Sequence, residues 1–352
     1  MKRAQMHLQF TWIFVLIAGF AFLFFFITLT YKAITGSSSA EEHQIITTLQ
    51  ARLKDLRNTG DIGTTLSFPH TTFTITCSAT PPQTTLRLGG ARADLRTVTL
   101  FSPRRLSGTR FPAAAKPLKT GFLADTPIYL VDEEHGYHFL TDPEGIATTL
   151  ARALPNQTRI WLYDDQNDIS YPSLPYHRIV AANTESRPFQ KEDLPTPATP
   201  STRTNITALI ITPTPDSYPQ PLQGVSQLTY YAFQNGAWHE TGTSYAYTTP
   251  LLLGAVLSSD ARAYQCQAQK TLSRLATQAQ LYYDETTAIS SALATRGSHC
   301  STKYNNILQN LLSIRDNAKL TKENLNILKD QTTLLKRAHK DVTELLGCPY
   351  IY

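Results

Sequence analysis

The sequence from Phe10 to Thr30 reads FTWIFVLIAGFAFLFFFITLT, 21 residues without a charged side chain. At about 1.5 Å per residue, a helix of this length matches the roughly 30 Å hydrocarbon core of a bilayer. Lys2 and Arg3 precede the segment, whereas Lys32 after it is soon followed by acidic residues. Because the cytoplasmic side favours positive charge, residues 1–9 are predicted to lie in the cytoplasm. The sequence therefore predicts a single-pass protein anchored in membrane lipid by residues 10–30, with its bulk outside the cytoplasm.

Two kinds of N-terminal processing are alternatives to a permanent anchor. Residues 38–40 (SSA) have the small side chains of a signal-peptidase site, although signal peptides carry a shorter apolar region of about 7 to 15 residues. Residues 3–6 (RAQM) resemble the basic leader of archaeal prepilins, which implies a pilin-like filament subunit. The stretch from His7 to Gly19, HLQFTWIFVLIAG, resembles the start of uncharacterised archaeal single-pass membrane proteins. That resemblance implies an archaeal cell envelope and brings no activity with it.

The composition is that of a folded protein with few charges. Of 352 residues, 41% are hydrophobic and 17% are charged, and the part beyond the anchor is long enough for about two domains. The net charge of +5 is spread along the chain, and no block of basic residues follows Arg3. A nucleic-acid partner is therefore not expected.

The segment after the anchor is predicted to be a helical stalk over residues 31–57. Apolar residues recur there at helical spacing, at Ile45, Ile46, Leu49, Leu53 and Leu56. A β-rich and α/β ectodomain is expected over residues 64–250, beginning with alternating threonine and apolar residues in short strands. Overall, the predicted fold class is mixed α+β.

Strand-like runs alternate with a helical stretch between Asp125 and Gln234, which indicates a small α/β sheet. Asp142 and Pro143 are suited to the cap and first position of its crossover helix. Residues 186–204, SRPFQKEDLPTPATPSTRT, are predicted to form a mobile loop rich in proline and threonine.

A helical hairpin is predicted over residues 258–346. Apolar residues keep heptad spacing in two runs, separated by a stop at Gly297 and Ser298. An uninterrupted second helix would be about 69 Å long and would outreach the first helix. Its free end would then need another surface, either the stalk, a second copy of the chain or an envelope protein. The two heptad frames are Ala268, Leu272, Leu275, Ala279, Tyr282, Thr286, Ile289, Leu293 and Ile307, Leu311, Ile314, Ala318, Thr321, Leu325, Leu328, Thr332, Leu335, His339, Val342, Leu346.

The four cysteines, Cys77, Cys266, Cys300 and Cys348, all follow the anchor, where disulfides persist. In a straight hairpin Cys266 and Cys300 would lie about 50 Å apart, so this pair is excluded. Of the two remaining arrangements, the one that joins Cys266 to Cys348 is favoured because it ties the hairpin base. A helix break near residues 316–319 would be needed to bring these two cysteines into register.

Acidic and amide side chains follow the predicted strands of the α/β sheet: Asp132 after PIYLV, Asp164 and Asp165 after RIWLY, and Asn183 after RIVAA. In a parallel sheet they would meet at one edge, where open α/β folds bind ligands. Together they form a candidate ligand site that could hold Mg²⁺ or Ca²⁺, although such residues also simply begin turns after strands. Glu133, Glu134, His135 and His138 crowd the same loop, where we expect solvated side chains.

The sequence has no GxSxG, HExxH, Walker or GxGxxG motif, so no catalytic residue and no cofactor are assigned. The strongest patterns in the sequence are the anchor and the heptads. An anchor positions a protein at the membrane, and heptad helices mediate its association. The leading hypothesis is therefore a membrane-anchored structural or interaction protein of a prokaryotic envelope. The alternative is an extracytoplasmic metal-dependent hydrolase or ligand-binding domain that uses Asp132, Asp164 and Asp165.

Overall fold

The fold is known from a computed structural model that describes residues 2–60, 63–141, 145–165, 169–183, 189–197, 205–214, 224–345 and 348–349. The side chains of residues 2–14, 31–39, 79 and 345 are outside the description. Asp142 and Pro143, the predicted helix start, and most of the predicted loop 186–204 also lie outside the described residues. Within that loop, a 3-10 turn is described at Lys191–Asp193.

One long helix is followed by two groups of strands with a short helix between them, and then by the C-terminal helices. The helices are α1 Lys2–Thr59, α2 Ile146–Ala153, α3 Thr249–Leu257, α4 Ala261–Thr295, α5 Asn305–Asn317 and α6 Lys322–Lys340. The strands are β1 Gly63–Ala79, β2 Pro82–Leu88, β3 Ala91–Leu95, β4 Leu100–Phe101, β5 Arg105–Ala115, β6 Leu118–Lys119, β7 Leu123–Asp125, β8 Ile128–Leu130, β9 His135–Leu140, β10 Arg159–Tyr163, β11 Tyr176–Ala182, β12 Asn205–Pro213, β13 Ser226–Gln234 and β14 Ala237–Ala246. The predicted mixed α+β class is confirmed.

Helix α1 is continuous over 58 residues and joins the apolar N-terminal segment to the first sheet. Its described apolar side chains between Val15 and Leu29 are exposed. Within the part of the chain that the structure describes, no helix has both the length and the apolar character needed to cross a membrane. Near its end, Ile46, Leu49 and Leu53 are buried, because this face packs on a sheet instead of forming a free stalk.

The first sheet has six strands in the order β3-β2-β1-β5-β8-β4. β1 pairs antiparallel with β2 and β5, and its alternating pattern buries Phe73 and Ile75 on the α1 side. β8, the strand predicted to begin the α/β sheet, instead pairs with β5 and β4 in this first sheet. The chain therefore crosses to the second sheet only after Leu130.

The second sheet also has six strands, in the order β10-β9-β11-β12-β13-β14. Its first four strands run parallel, with α2 as the crossover between β9 and β10, and β13 and β14 are antiparallel. The hairpin between β13 and β14 turns at Asn235 and Gly236, with φ of 52° and 79°. Positive φ at both central residues is the geometry that the Asn-Gly pair favours between strands.

The C-terminal helices bury most of the predicted heptad residues, but they form three helices and not two. α5 ends at Asn317 and α6 begins at Lys322, so the predicted 69 Å helix is wrong. α4 and α5 run antiparallel, as hydrogen bonds from Ser290 to Ser301 and from Arg315 to Gln280 show.

α6 then folds back along α5, and Tyr304 before α5 donates a hydrogen bond to Pro349 after α6. Leu325, Leu328 and Leu335 of α6 are fully buried in the core that α4, α5 and the second sheet share. The second run of the predicted hairpin therefore has no overhanging end among the described residues. The association was predicted because a free helix end would need another surface, and that reason no longer applies to these helices.

Two disulfides join distant parts of the fold. Cys77 of β1 is bonded to Cys266 of α4, and Cys300 is bonded to Cys348. The exclusion of a Cys266–Cys300 bond is confirmed, whereas the favoured Cys266–Cys348 bond is wrong. The reason is the packing of α4 on the first sheet, which carries Cys266 to β1. The return of α6 along α5 then leaves Cys348 beside Cys300.

Candidate functional site

Asp132 does not belong to the predicted edge of the α/β sheet. It is buried where the chain crosses between the sheets, and its carboxylate accepts hydrogen bonds from the backbone N–H groups of Ser107 and Glu134. It also accepts from both the backbone N–H and the ring Nδ1 of His135, the latter at 2.6 Å. These bonds fix the crossover and orient the His135 ring.

Asp164, Asp165 and Asn183 lie at the opposite end of the parallel strands. Asp164 accepts a hydrogen bond from Thr141, which follows β9, while Asp132 lies before the start of β9. Since β9 rises about 3.3 Å per residue, Asp132 and Asp164 are roughly 20 Å apart. The predicted convergence of these carboxylates is therefore wrong. The cause is that β8 belongs to the other sheet.

The amide of Asn183 is engaged within its own sheet. Its Nδ2 donates to Thr212, and its side-chain oxygen accepts from the backbone N–H of Phe189. Among the described residues, one cluster brings three His, Cys, Asp or Glu ligand atoms together: His299, Cys300 and Cys348. Its two cysteines are bonded to each other, so neither is available as a thiolate ligand.

A cavity of about 370 Å³ lies at the N-terminal end of the parallel strands. β9, β11 and β12 start there at residues paired in register: His135, Tyr176 and Asn205. The corner of the first sheet at Pro103–Arg105 and the C-terminal end of α3 close the cavity from the other sides. We call it the Arg178 pocket, lined chiefly by Arg104, Arg105, His135, Tyr137, Arg178 and Ser259.

Arg178 is the central charged group of this pocket. It is 5% exposed, and its guanidinium donates hydrogen bonds to the backbone oxygens of Ala255, Ser258 and Ser259 at 3.0–3.3 Å. These are carbonyls at the end of α3, where the helix dipole favours a cation. Its Nε has no hydrogen-bond partner, and none of the ion pairs found among the described residues includes Arg178. Its guanidinium also lies 5.1 Å from the centroid of the Tyr230 ring. Burial lowers the pKa of the guanidinium, and with no carboxylate partner among the described residues its charge is balanced only by dipoles and this ring.

Tyr137 lies directly beside Arg178, its register partner on the neighbouring strand. The Tyr137 hydroxyl is buried and has no hydrogen-bond partner. Burial raises the pKa of this phenol above its usual value near 10, so the hydroxyl stays a donor. Two residues that line the pocket thus each have a buried donor without a partner, one on a cation and one on a phenol. The imidazole ring of His135, whose Nδ1 contacts Asp132, also lines this cavity.

A buried histidine pair lies next to the pocket. His177 Nε2 contacts the backbone oxygen of Leu174, so it must carry a proton, and Nδ1 then accepts from His138 Nε2 at 2.9 Å. His138 stacks on Trp161, and its Nδ1 has no partner. Burial lowers the pKa of His138 to about 3, and both rings are neutral at pH 7. The prediction of solvated side chains is wrong for His138, because β9 carries it into the interior, whereas His135 is partly exposed at the pocket.

Sequence reasoning missed the Arg178 pocket, although one signal was present. Arg178 begins the apolar run RIVAA, and a charged residue at the start of a buried strand is uncommon. Its partners Ser258, Ser259 and Tyr137 are far from it in sequence and meet only in the fold. Comparisons with protein-family models, with curated proteins and with solved structures found no match for this chain.

Proposed function

We propose that this protein is a membrane-anchored extracytoplasmic binding protein that holds a small organic anion in the Arg178 pocket. One observation carries the proposal: a buried guanidinium with an unpaired Nε, and with no carboxylate of the described residues within ion-pair distance, lines an open cavity. An anionic ligand would supply the missing counter-charge and hydrogen-bond acceptor.

The anchor is supported by the 21 uncharged residues between Phe10 and Thr30. The large apolar side chains from Val15 to Leu29 are each more than half exposed. A lipid environment would remove this apolar surface from water. The two disulfides are consistent with an oxidising location outside the cytoplasm.

The shape of the pocket restricts the ligand. A volume of about 370 Å³ suits a small organic molecule and not a polymer. Val256, Leu257 and Pro103 provide apolar wall, while Arg178 and Tyr137 provide donors at one place. The expected ligand therefore has an apolar body and one carboxylate, phosphate-ester or sulfonate group.

Thermal unfolding of the full-length protein in detergent tests this ligand class. Each small organic anion of a panel of carboxylates, phosphate monoesters and sulfonates is compared with its uncharged alcohol or amide analogue. We expect at least one anion, and not its neutral analogue, to raise the unfolding temperature, since a ligand that binds only the folded state stabilises it.

Two variants assign such an effect to the pocket. Arg178→Met removes the charge, and Tyr137→Phe removes only the unpaired hydroxyl and so should fold normally. Arg337→Met is the matched control, because Arg337 lies on α6 away from this pocket. Stabilisation that persists in both pocket variants, or a panel without effect on the wild type, would refute the proposal.

A further inference from the structure

A second cavity lies at the other end of α3. It has a volume of about 310 Å³ and is lined by Lys119 of β6, by Lys329 and Lys336 of α6, and by the first residues of α3. We call it the lysine cavity. Since α3 has nine residues, the two cavities are separated by about 13 Å along its axis.

The N-terminal end of α3 is open toward a ligand. Thr248 occupies the cap position, but its side chain makes no capping hydrogen bond, and its backbone oxygen accepts from Leu252. The helix geometry leaves the N–H groups of Thr249 and Leu251 without acceptors inside the helix. Residues Leu251–Leu257 are all buried, so water screens the helix dipole poorly. At the C-terminal end of α3 the dipole is stabilised by the cation Arg178, whereas its N-terminal end favours a bound anion.

Three residues that line the same cavity have buried hydroxyl groups without a hydrogen-bond partner. Thr120 and Tyr247 are each 2% exposed, and neither side-chain oxygen has a hydrogen-bond partner. The hydroxyl of Thr248 is also buried without a partner. A buried hydroxyl left unpaired costs free energy, and three around one cavity indicate a ligand that accepts hydrogen bonds.

The charge of the cavity selects the ligand. Its wall contains three lysines, and among its described lining residues there is no carboxylate. Ammonium groups, hydroxyl donors and free helix N–H groups are together the donors that phosphate binds in proteins. We propose that the lysine cavity binds a phosphate group, either inorganic phosphate or the phosphate monoester of a lipid headgroup.

Calorimetric titration of the full-length protein in a phosphate-free maltoside detergent tests the proposal in two arms. One arm uses inorganic phosphate, and the other uses dioctanoyl phosphatidic acid with dioctanoylglycerol as its phosphate-free control. We expect binding in at least one arm, and the arm that binds more tightly identifies the source of the phosphate.

Variants of the cavity decide whether the binding belongs to it. Lys336→Gln and the double variant Thr120→Val with Tyr247→Phe should each weaken binding about tenfold or more, because each removes donors to a charged group. Lys340→Gln, on the same helix but outside the cavity and paired with Glu344, should leave binding unchanged. The double variant replaces unpaired hydroxyls by apolar groups of similar shape, so it should fold at least as stably as the wild type.

Two results would overturn the proposal. One is the absence of binding to both phosphate and phosphatidic acid at millimolar concentration. The other is binding that Lys336→Gln and the Thr120→Val, Tyr247→Phe variant weaken no more than Lys340→Gln does. Arg178→Met separates the two cavities, since it should abolish anion binding in the Arg178 pocket and spare phosphate binding.

Discussion

Arg178 donates a hydrogen bond to the backbone oxygen of Ser258 at 3.0 Å, and this contact joins the parallel sheet to the end of α3. The same guanidinium also donates hydrogen bonds to the backbone oxygens of Ala255 and Ser259. One side chain of the parallel sheet thus donates to three carbonyls at and just after the end of α3, of which that of Ala255 also accepts from the Tyr230 hydroxyl. The contact explains why a charge is retained in the interior.

Arg178→Met is therefore expected to destabilise the protein by about 2 to 4 kcal/mol, because it leaves buried carbonyls without donors. Urea unfolding followed by circular dichroism measures the change. Arg105→Met, an exposed arginine of the same pocket, is the control and should change stability by less than about 0.5 kcal/mol. Equal effects of the two substitutions would contradict the role assigned to Arg178.

Asp132→Ala is expected to lower stability by about 3 kcal/mol, since it removes the acceptor of Ser107, Glu134 and His135 in a buried turn. Asp164→Ala should have a smaller effect, because Asp164 is exposed at the other end of the strands. Chemical unfolding of both variants checks the difference. A larger loss of stability in Asp164→Ala than in Asp132→Ala would contradict the structural role assigned to Asp132.

Stability should fall as the pH is lowered from about 6.5 towards 3. The unfolded chain takes up a proton on His138 below pH 6.5, whereas burial lowers the pKa of His138 in the folded protein to about 3. Each pH unit in this window costs about 1.4 kcal/mol for one proton. His138→Phe keeps a ring stacked on Trp161 and should lose about 1 to 2 kcal/mol less between pH 7 and pH 5 than the wild type does.

His239→Phe is the control for this pH effect, since His239 is exposed. Its pH dependence of unfolding should match that of the wild type. Identical pH profiles for His138→Phe and the wild type would show that His138 is not a neutral buried residue.

Replacing Cys77 and Cys266 together by alanine should destabilise the folded state by about 5 kcal/mol, and replacing Cys300 and Cys348 by about 4 kcal/mol. The first pair closes a loop of 189 residues and the second a loop of 48, so the unfolded chain gains more freedom from losing the first. Guanidinium unfolding measures both changes. Mass spectrometry of a non-reduced digest checks the pairing, and a Cys266–Cys348 peptide would contradict the fold.

Local patterns made much of this fold predictable. The heptad spacing identified which residues of α4, α5 and α6 are buried, and the apolar face at Ile46, Leu49 and Leu53 was recognisable before its partner was known. The positive φ angles at Asn235 and Gly236 likewise reflect a local backbone preference of this residue pair. Such features depend on residues within a few positions of each other, and one sequence contains all of that information.

The errors have a common physical origin in contacts between distant segments. The sequence around residues 127–131 contains no local pattern that distinguishes pairing with β5 from pairing with β9. The wrong prediction for Asp132 followed from the wrong choice of sheet for this strand. The heptad frame continues across residues 318–321, yet the chain turns there, and the turn lets α6 bury Leu325, Leu328 and Leu335 in the core that it shares with α5 and the second sheet.

The sequence by itself determined the uncharged segment over residues 10–30, the helix faces and the alternation of the strands, because these are properties of periodicity and local backbone preference. Only the tertiary structure decided the disulfide pairs, the burial of Arg178 beside Tyr137 and the two cavities at the ends of α3. Those features arise where elements far apart in the chain pack together. Packing is governed by shape and buried area over the whole molecule, which no local pattern contains.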